Sequence, residues 1–451
     1  MSRPAAGVLL VVLLILGPSR DGAAWPFPLG DASGNRVAAG KGSFPRWQAL
    51  ALPTESPLRW LVALSRRRLA AVDREGTVWI FEVGRAGISV AARYGEAASP
   101  DGPPAVVGLG RERSGLALVA RDGRLVVWSD GTLRSYDVGT PLSRLAVPTP
   151  LALGSGEWDD LLAVAADGAV LLIGNLTAGP RVISRVDVHA LPDARITVAD
   201  LDGDGTPEAV VLSDPTERYA HGALGDRVEA GGVTVIGLSP NGLSIRARHL
   251  VPAPAVIEDL APVIAPVGEG SRPLIVVARS SAQQGAAVAA FGWKDAGLLL
   301  LAEGPGAGQG LRWTHVLGAA DLSGEGTPEI VAVRTPHLGG VLTAYRRRGS
   351  ALIPVAQASG YASHLFGSRN QDQALIADFD GNGRPEVVLP RQSREALAGL
   401  ELESGRFAER WSLLLGSPVE SNLVAADLSG DGLVDLAVAD RRALRVFLSV
   451  R

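Results

Sequence analysis

Short apolar segments alternate with turn residues along most of the chain. Segments such as GVTVIGL (232–238) and SIRARHL (244–250) are seven residues long, and Gly, Pro, Asp or Asn separates many of them from the next. Apolar runs this short, spaced at about 8 to 12 residues, are typical of β-strands in an all-β protein. The pattern therefore predicts an all-β fold built from many short strands.

An acidic turn recurs between two of these segments. The four clearest copies are ADLDGDGTPEAVVLS from Ala199, ADLSGEGTPEIVAV from Ala320, ADFDGNGRPEVVLP from Ala377 and ADLSGDGLVDLAVAD from Ala426. Their first aspartates are separated by 121, 57 and 49 residues. Copies that keep the strands but have lost the acids begin at Leu61, Val106, Leu151 and Ala265. The period is near 50 residues, which indicates eight units.

Each unit supplies four strands, with the turn between the first and the second. Four-stranded units repeated around an axis form a β-propeller. The last unit ends at Arg451 after only three strands, and the segment RWQALALP (46–53) can supply the fourth, so that the ring is closed by an N-terminal strand and leaves no long sheet edge exposed. We predict one propeller domain over residues 46–451 after an N-terminal extension (25–45). Eight blades are the direct count, and seven is the alternative if the unit near Leu61 belongs to a neighbour.

The composition agrees with a globular protein that is rich in turns. Of the 451 residues, 47% are hydrophobic and 20% are charged, and the chain contains 55 Gly and 30 Pro. The formal net charge is −4. Because the chain lacks a basic footprint, nucleic acid is not a predicted partner.

Residues 1–24 have the pattern of a secretory signal peptide. Arg3 precedes the apolar run GVLLVVLLILG (7–17), and the small residues 22–24 precede Trp25. The run is shorter than the roughly 20 residues that span a bilayer, and no transmembrane anchor is predicted in the mature chain. We expect export by the general secretory route to the periplasm or the extracellular space. The chain has no cysteine, so its stabilisation outside the cell has to come from a source other than disulfides.

The acidic turns are candidate metal sites. We call them loop 1 (200–208), loop 2 (321–329), loop 3 (378–386) and loop 4 (427–435). Loop 1 offers oxygen ligands at alternate positions, namely Asp200, Asp202, Asp204, the backbone carbonyl of Thr206, and Glu208. Carboxylates this close repel one another unless a cation lies between them. A short loop with only oxygen ligands suits Ca²⁺ better than Zn²⁺ or Mg²⁺, and it is not an EF-hand because its twelfth position is Val211 in a strand.

These loops resemble the FG-GAP or VCBS repeats of secreted bacterial proteins and of the integrin α-subunit propeller, which follow D-x-[DNS]-x-[DEN]-G-x-x-[DE]. The resemblance is close in four units and loose over residues 61–451. It implies a propeller in which up to four calcium ions bind between the first and second strands of a blade, mostly in a structural role. The ligands that it implies are Asp200, Asp202, Asp204, Thr206 and Glu208; Asp321, Ser323, Glu325, Thr327 and Glu329; Asp378, Asp380, Asn382, Arg384 and Glu386; and Asp427, Ser429, Asp431, Leu433 and Asp435.

The four loops are not expected to bind calcium equally. Loop 1 has four acids and should bind most tightly. Loop 2 should bind most weakly, because it has the neutral Ser323 at position 3 and the longer Glu325 at position 5. The alternative for each loop is an acidic surface turn without a metal ion. If the ions are bound, they can replace the missing disulfides as a source of stability.

Loops on the opposite face of the propeller are candidates for ligand binding, since binding residues are often found on loops held by a rigid scaffold. They contain polar and aromatic side chains that could meet near the channel mouth, namely Arg218, Tyr219, His221, Arg312, Trp313, His315, Tyr361, His364 and Arg369. The alternative is a solvated rim of ordinary loop composition.

The function predicted from these features is a secreted, calcium-stabilised platform that binds protein or carbohydrate. The alternative is a propeller enzyme, such as a polysaccharide lyase or a quinoprotein dehydrogenase. The chain has six histidines, no cysteine and no Gly-x-Ser-x-Gly motif, so it offers few candidates for catalysis. Only residues 70–82 faintly resemble the blade signature of quinoproteins.

Overall fold

The computed structural model describes residues 34–109, 114–151, 159–240, 242–268, 272–294 and 297–451. The predicted signal peptide and residues 25–33 of the predicted extension lie outside this part of the chain. The described residues form strands and turns, without a helix. No helix long and apolar enough to cross a bilayer is therefore found among them.

The strands of the first half follow the predicted grouping by fours. Two strands come first, β1 (Val37–Lys41) and β2 (Trp47–Pro53). Unit 1 contains β3 (Leu58–Ser65), β4 (Arg68–Asp73), β5 (Val78–Gly84) and β6 (Gly87–Tyr94). Unit 2 contains β7 (Ala105–Gly108), β8 (Ser114–Val119), β9 (Leu125–Ser129) and β10 (Thr132–Tyr136). Unit 3 contains β11 (Thr149–Leu151), β12 (Asp160–Val164), β13 (Ala169–Gly174) and β14 (Arg181–Asp187). Unit 4 contains β15 (Thr197–Ala199), β16 (Glu208–Thr216), β17 (Glu229–Ser239) and β18 (Gly242–Leu250).

The second half continues the same order after the short connecting strand β19 (Val256–Ile257). Unit 5 contains β20 (Val263–Ala265), β21 (Leu274–Ser281), β22 (Gly285–Lys294) and β23 (Gly297–Glu303). Unit 6 contains β24 (Thr314–Ala320), β25 (Glu329–Arg334), β26 (Val341–Arg348) and β27 (Ala351–Ser359). Unit 7 contains β28 (Leu375–Asp378), β29 (Glu386–Pro390), β30 (Ala396–Glu403) and β31 (Arg406–Leu414). Unit 8 contains β32 (Val424–Ala426), β33 (Asp435–Ala439) and β34 (Ala443–Ser449).

Within each unit, neighbouring strands pair antiparallel in chain order. The fourth strand of unit 8 is β2, which pairs with β34 from Trp47 opposite Ser449 to Pro53 opposite Ala443. The all-β class and the four-stranded units are therefore confirmed, and the N-terminal strand joins the last unit as predicted. Units 4, 5 and 6 form one continuous sheet, because β19 pairs with both β17 and β21 and a single parallel bridge joins β23 to β27.

A β-bulge recurs between the third and fourth strands of six units. It lies at equivalent places, for example between Val235 and Ile236 of unit 4 and between Gly399 and Leu400 of unit 7. The same shift occurs in units 1, 3, 5 and 6. A bulge leaves one residue of the fourth strand without a partner and redirects its side chain. In units 4 and 7 that residue is an arginine, Arg246 or Arg410.

Hydrophobic cores lie between consecutive units. One core contains Val62 of unit 1 and Leu116 of unit 2. Another contains Leu61 of unit 1 and Val446 of unit 8, so the first and last units pack against each other. Side chains of both strand faces are buried in this way, which explains why the second and third strands read as nearly continuous apolar runs. The arrangement is consistent with a propeller.

Part of the predicted N-terminal extension lies against the first strands of units 6 and 7. β1 pairs parallel with β28, with Val37 opposite Ile376. The Asn35 side-chain amide donates to the carbonyl of Ala319 at 2.9 Å and accepts from its N–H at 2.7 Å. Arg36 donates to two backbone carbonyls of β24 in unit 6 and pairs with Asp372 at 3.0 Å. Residues 34–41 are therefore packed against the units, which the sequence did not indicate.

Candidate metal centres

The acidic loops share one backbone arrangement, best seen in loop 1. The N–H groups of Gly203 and Gly205 donate to Asp200 at 2.7 and 2.9 Å. Both glycines have positive φ, at 80° and 87°, a conformation that glycine adopts without strain. The N–H of Leu201 donates to Glu208 Oε2 at 2.9 Å. The first and ninth acids therefore hold the loop in shape through backbone donors.

The same two bonds hold the other three loops. The N–H at position 6 donates to the first aspartate at 2.8, 3.0 and 3.0 Å in loops 2, 3 and 4. The N–H at position 2 donates to the ninth acid at 3.0, 2.7 and 2.8 Å. In every loop, one carboxylate oxygen of the ninth acid therefore accepts from the N–H at position 2. The loops differ in the group that contacts the other carboxylate oxygen of this acid.

In loop 1 the second oxygen has no hydrogen-bond partner. Glu208 is only 1% exposed, and its Oε1 atom accepts no hydrogen bond. The nearest guanidinium is that of Arg246, whose Nη1 lies 3.8 Å from Oε1 and whose Nη2 donates to Asp202 at 2.9 Å. Burial and the neighbouring acids Asp202 and Asp204 raise the pKa of Glu208. A buried oxygen without a partner is costly, and a cation would satisfy it.

Oxygen atoms of Asp200, Asp202 and Glu208 all lie within 4.8 Å of one another. The set consists of hard oxygen donors, which is the chemistry that Ca²⁺ and Mg²⁺ accept. Loop 1 could therefore hold a metal ion, and its unpartnered oxygen points to one. The loop N–H of Thr206 donates to Asp204 at 2.7 Å.

In loop 2 an arginine side chain meets the acids. Arg346 Nη2 lies 2.6 Å from Glu329 Oε1 and 2.7 Å from Glu325 Oε2, and it donates to Ser323 Oγ at 2.9 Å. The guanidinium thus contacts the side chains at positions 3, 5 and 9. Asp321 accepts from the N–H of Gly326 as in the other loops, and a guanidinium already lies among the remaining oxygens of loop 2.

Loop 3 brings three acids together. Oxygen atoms of Asp378, Asp380 and Glu386 lie within 4.8 Å of one another, so this loop could also hold a metal ion. The second oxygen of Glu386 accepts from the indole N–H of Trp411 at 3.0 Å. Burial raises the pKa of Glu386 to about 7. The N–H of Arg384 donates to the Asn382 side chain at 2.7 Å.

A further carboxylate, that of Glu401, lies beside loop 3. Glu401 is fully buried and pairs with the side chains of Arg384 and Arg410, the latter through Nε at 2.5 Å. The pattern of the loop does not include this residue, because it belongs to the third strand of the unit. Its place beside loop 3 follows from the register in which β29 pairs with β30, which the loop pattern does not indicate.

In loop 4 both oxygens of the ninth acid are used by the backbone. The N–H groups of Leu428 and Ser429 donate to Asp435 Oδ2 at 2.8 Å each, and the N–H of Ser449 donates to Oδ1 at 2.7 Å. Burial raises the pKa of Asp435 to about 7. The N–H of Leu433 donates to Asp431 at 2.9 Å.

The remaining acids of loop 4 face arginines from unit 1. Asp431 pairs with Arg85 at 2.7 Å, and Asp427 lies 3.7 Å from Arg66. Among the described residues, the acids that converge closely enough to share a metal ion are those of loops 1 and 3. Calcium in loops 2 and 4 stays a prediction.

The structure brings together several of the residues predicted for ligand binding. Their rings form a continuous series of contacts with centroid distances of 4.8–6.0 Å: Tyr219, His221, Phe366, His337, His364, Trp313 and His315. Phe366 and His337 were not among the predicted residues. They link the insert of unit 4 to the loops around unit 6.

Most of this aromatic cluster is buried and serves packing. Trp313 is 1% exposed and donates its indole N–H to the carbonyl of Glu258 at 2.7 Å. Burial lowers the pKa of His315 and of His364 well below the usual histidine value and that of His337 to about 4. These histidines are therefore neutral at pH 7, and the two fully buried ones are not open to a ligand.

The other predicted residues have separate partners. Arg369 pairs with Asp193 at 2.9 Å and with Asp226 at 2.6 Å. Arg218 donates to backbone carbonyls, including that of Val251 at 2.9 Å. Arg312 is exposed and donates to the carbonyl of Gln309. Tyr361 donates to Glu409 at 3.2 Å in the outer strand of unit 7. The backbone of Arg312 lies beside the hydroxyl of Tyr219, whereas the ring of Tyr361 is not part of the described series of ring contacts.

A pocket with a volume of about 150 Å³ lies on this face. Its wall includes two ion pairs, Arg59–Asp101 at 3.1 Å and Arg74 Nε–Glu420 at 3.0 Å. Phe366, which is 54% exposed, lies at the same pocket. None of these five residues was predicted from the sequence.

No protein-family model matches this chain, and no curated protein matches it. The resemblance to FG-GAP or VCBS repeats therefore rests on the loop residues themselves.

Proposed function

We propose that the chain is a secreted, calcium-stabilised β-propeller of the FG-GAP or VCBS type that serves as a platform for binding carbohydrate or protein. Its eight four-stranded units would form a closed ring. The pairing of β2 with β34 and the shared core of units 1 and 8 support closure, because both join the two ends of the chain.

The observation that carries the calcium proposal is the buried Glu208 oxygen of loop 1. It has no hydrogen-bond partner, and a carboxylate oxygen of Glu208 lies within 4.8 Å of oxygens of Asp200 and Asp202. A calcium ion there would neutralise three clustered carboxylates and tie the start of β16 to the end of β15. Loop 3 offers a similar set of acids. We expect calcium in these two loops before the others.

The size of the effect suits a structural role. Extracellular calcium modules bind with dissociation constants of roughly 0.1 to 1 mM. At about 1 mM free calcium each occupied site then stabilises the fold by about 0.4 to 1.4 kcal/mol. Two sites supply a useful share of a typical net stability of about 5 to 15 kcal/mol in a chain that has no disulfide.

Calorimetric titration of the mature chain with CaCl₂ tests this part of the proposal. We expect two bound ions, and we expect Asp200→Asn and Asp378→Asn to remove one each. Asp122→Asn, in an Asp-Gly turn of unit 2, is the control and should leave both ions bound. A chain that takes up no calcium at millimolar concentration would contradict the proposal.

The pocket beside Phe366 favours carbohydrate as the ligand. Its two ion pairs hold guanidinium donors and carboxylate acceptors in fixed positions, and each pair is close to neutral overall. Paired donors and acceptors suit the hydroxyl groups of an uncharged sugar, and the exposed ring of Phe366 offers an apolar surface for a sugar ring. A ligand of high charge would meet an unfavourable partner in each pair.

A glycan array probed with the mature chain tests the ligand class. We expect retention of neutral glycans and its loss in Phe366→Ala and Arg74→Ala. Leu414→Ala is the matched control, because Leu414 is an apolar residue that is 83% exposed on an outer strand away from the pocket. Capture of a protein that depends on Phe366, with no glycan bound, would favour the protein-binding alternative instead.

A further inference from the structure

The ninth acid of each loop begins the second strand of its unit and therefore has a direct neighbour on the third strand. Glu208 pairs with Gly237. Continuing the observed registers by one residue sets Arg346 opposite Glu329, Glu401 opposite Glu386 and Leu448 opposite Asp435. Opposite residues of an antiparallel pair point to the same face of the sheet. We call these four residues the facing position.

The side chain at the facing position differs in chemistry from loop to loop. This position has no side chain in loop 1, a guanidinium in loop 2, a carboxylate in loop 3 and an apolar side chain in loop 4. The backbone bonds that shape the loops are the same in all four. In loop 2 the facing residue itself meets the second oxygen of the ninth acid, whereas Trp411 meets that oxygen in loop 3 and the N–H of Ser449 meets it in loop 4.

Arg346 meets the requirements of a bound cation. Its guanidinium contacts oxygens of Ser323, Glu325 and Glu329 at 2.6–2.9 Å. Hydrogen bonding to Glu329 raises the pKa of Arg346, so the side chain stays charged. Glu329 is fully buried, and its two oxygens are both satisfied, one by Arg346 and one by the N–H of Leu322. A metal ion would have to displace three contacts, two of them charge-assisted hydrogen bonds or ion pairs.

Fourth-strand arginines near loops 1 and 3 make no hydrogen bond to the ninth acid, although Arg246 donates to Asp202. Arg246 and Arg410 are the bulged residues of the fourth strand. Arg246 fits over Gly237, where an added Cβ would lie 3.0 Å from Arg246 Cγ, and its Nη1 stays 3.8 Å from Glu208. In loop 3, Glu401 binds the guanidinium of Arg410. In unit 6 the bulged residue is Val355, and the arginine that contacts the loop acids, Arg346, lies on the third strand.

We propose that Arg346, at the facing position, is the resident cation of loop 2, which takes no metal ion. The number of ions expected in the test rests on the proposed calcium binding of loops 1 and 3. The acidic pattern of loop 2, by contrast, implies a calcium site.

The test is the number of calcium ions bound by the mature chain and its variants, measured by equilibrium dialysis with CaCl₂. Arg346→Met should bind one ion more than the unaltered chain, because it frees the acids of loop 2. Arg348→Met is the matched control: it makes the same change on the same strand, at an exposed residue, and should leave the number unchanged. Arg346→Lys keeps the positive charge and should also leave it unchanged.

A second measurement does not depend on the folding of Arg346→Met. Asp321→Asn, made in the otherwise unaltered chain, should leave the number of bound ions the same, whereas Asp200→Asn should lower it by one. Loss of an ion in Asp321→Asn would overturn the inference, since loop 2 would then bind calcium despite Arg346.

The outcomes separate this inference from the proposed function. An unaltered chain that binds two ions and an Arg346→Met variant that also binds two would overturn the inference and leave the proposed function standing. An unaltered chain that binds none would overturn the proposed function. If Arg346→Met alone then bound one ion, the assignment of Arg346 as the resident cation would still be supported.

Discussion

Loops 1 and 2 have the same length and the same residue types at positions 1, 6 and 9, yet their buried glutamates have different surroundings. Glu208 Oε1 has no hydrogen-bond partner, whereas Glu329 Oε1 receives two bonds from Arg346 at 2.8 and 2.6 Å. The residue responsible lies 17 positions after Glu329, on another strand. An acidic loop pattern therefore specifies the shape of the turn, but the neighbouring strand decides how its charge is balanced.

The difference has a thermodynamic consequence. Loop 2 contains its own cation, so its charge balance is independent of the medium. Loop 1 buries a carboxylate oxygen that has no hydrogen-bond partner, and under the proposed function its stability depends on the calcium concentration. The same turn is thus neutralised by its own protein in loop 2, whereas in loop 1 its neutralisation depends on an added cation under the proposed function.

The largest loss of folding stability is expected from replacing Arg346, the arginine that contacts the acids of loop 2. In the absence of calcium, Arg346→Met should lower the free energy of unfolding by about 2 to 4 kcal/mol, somewhat less than the cost of breaking a fully buried ion pair because Arg346 is partly exposed. Denaturant unfolding with excess chelator measures it. Arg348→Met should change stability by less than about 0.5 kcal/mol. Equal losses in the two variants would mean that the contacts in loop 2 contribute nothing specific.

A pH dependence is expected in loop 3, where burial raises the pKa of Glu386 to about 7. The folded state then binds a proton more tightly than the unfolded state, in which a glutamate has a pKa near 4.3. Without calcium, this group stabilises the fold below about pH 4, and the contribution is lost as the pH rises through about 7. Its full size is up to about 4 kcal/mol.

Glu386→Gln separates this contribution from those of other groups. The stability of the variant, measured with chelator between pH 4.5 and 8, should fall less steeply with pH than that of the unaltered chain. Parallel curves for the two proteins would show that Glu386 does not titrate in this range. Glu329→Gln is not a suitable control, since it also breaks the contact with Arg346.

Chelation is expected to have a smaller effect. Removal of about 1 mM calcium should lower the stability by about 1 to 3 kcal/mol, the sum for two sites. The melting temperature should fall with excess chelator and recover on addition of CaCl₂. The double variant Asp200→Asn with Asp378→Asn should melt at a temperature that no longer depends on calcium. A calcium response that persists in this variant would mean that loops 1 and 3 are not the sites.

The smallest expected effect on stability is that of replacing the first aspartate of loop 1, which can be compared directly with the same replacement in loop 2. Asp200→Asn should reduce the stabilisation by calcium by about 0.4 to 1.4 kcal/mol, the contribution of one site. Asp321→Asn should leave the calcium response unchanged, although both variants weaken the bonds that the first aspartate accepts within its loop. Melting curves recorded with and without calcium distinguish the two effects, because only the difference between the curves reports on the ion.

Much of the fold could be predicted because its signals are local. Apolar runs and glycine turns have a period near 50 residues, which predicted the four-stranded units, and the missing last strand pointed to the segment that forms β2. The acidic turns could be located to the residue, since their glycines and acids shape the backbone through contacts within nine positions. The convergence of acids in loops 1 and 3 agrees with the prediction for those loops.

The sites on the opposite face were predicted less well. His315, His364 and Trp313 were expected at a binding surface, and they are brought together, but they are buried in an aromatic cluster. Phe366 was not expected and is exposed at the pocket. Loop composition does not reveal burial, because burial depends on which loops from distant units meet.

The sequence by itself determined the strands, the repeat and the backbone of the acidic turns, because each of these follows from interactions between residues close along the chain. Only the tertiary structure decided the charge balance of each turn. Strand register places Arg346, Glu401 and Gly237 directly opposite the ninth acid of their loops, although they lie 15 to 29 residues from it along the chain. Coulomb interactions depend on distance in space, so the same acidic pattern can leave an oxygen without a partner in one unit and bind a guanidinium in another.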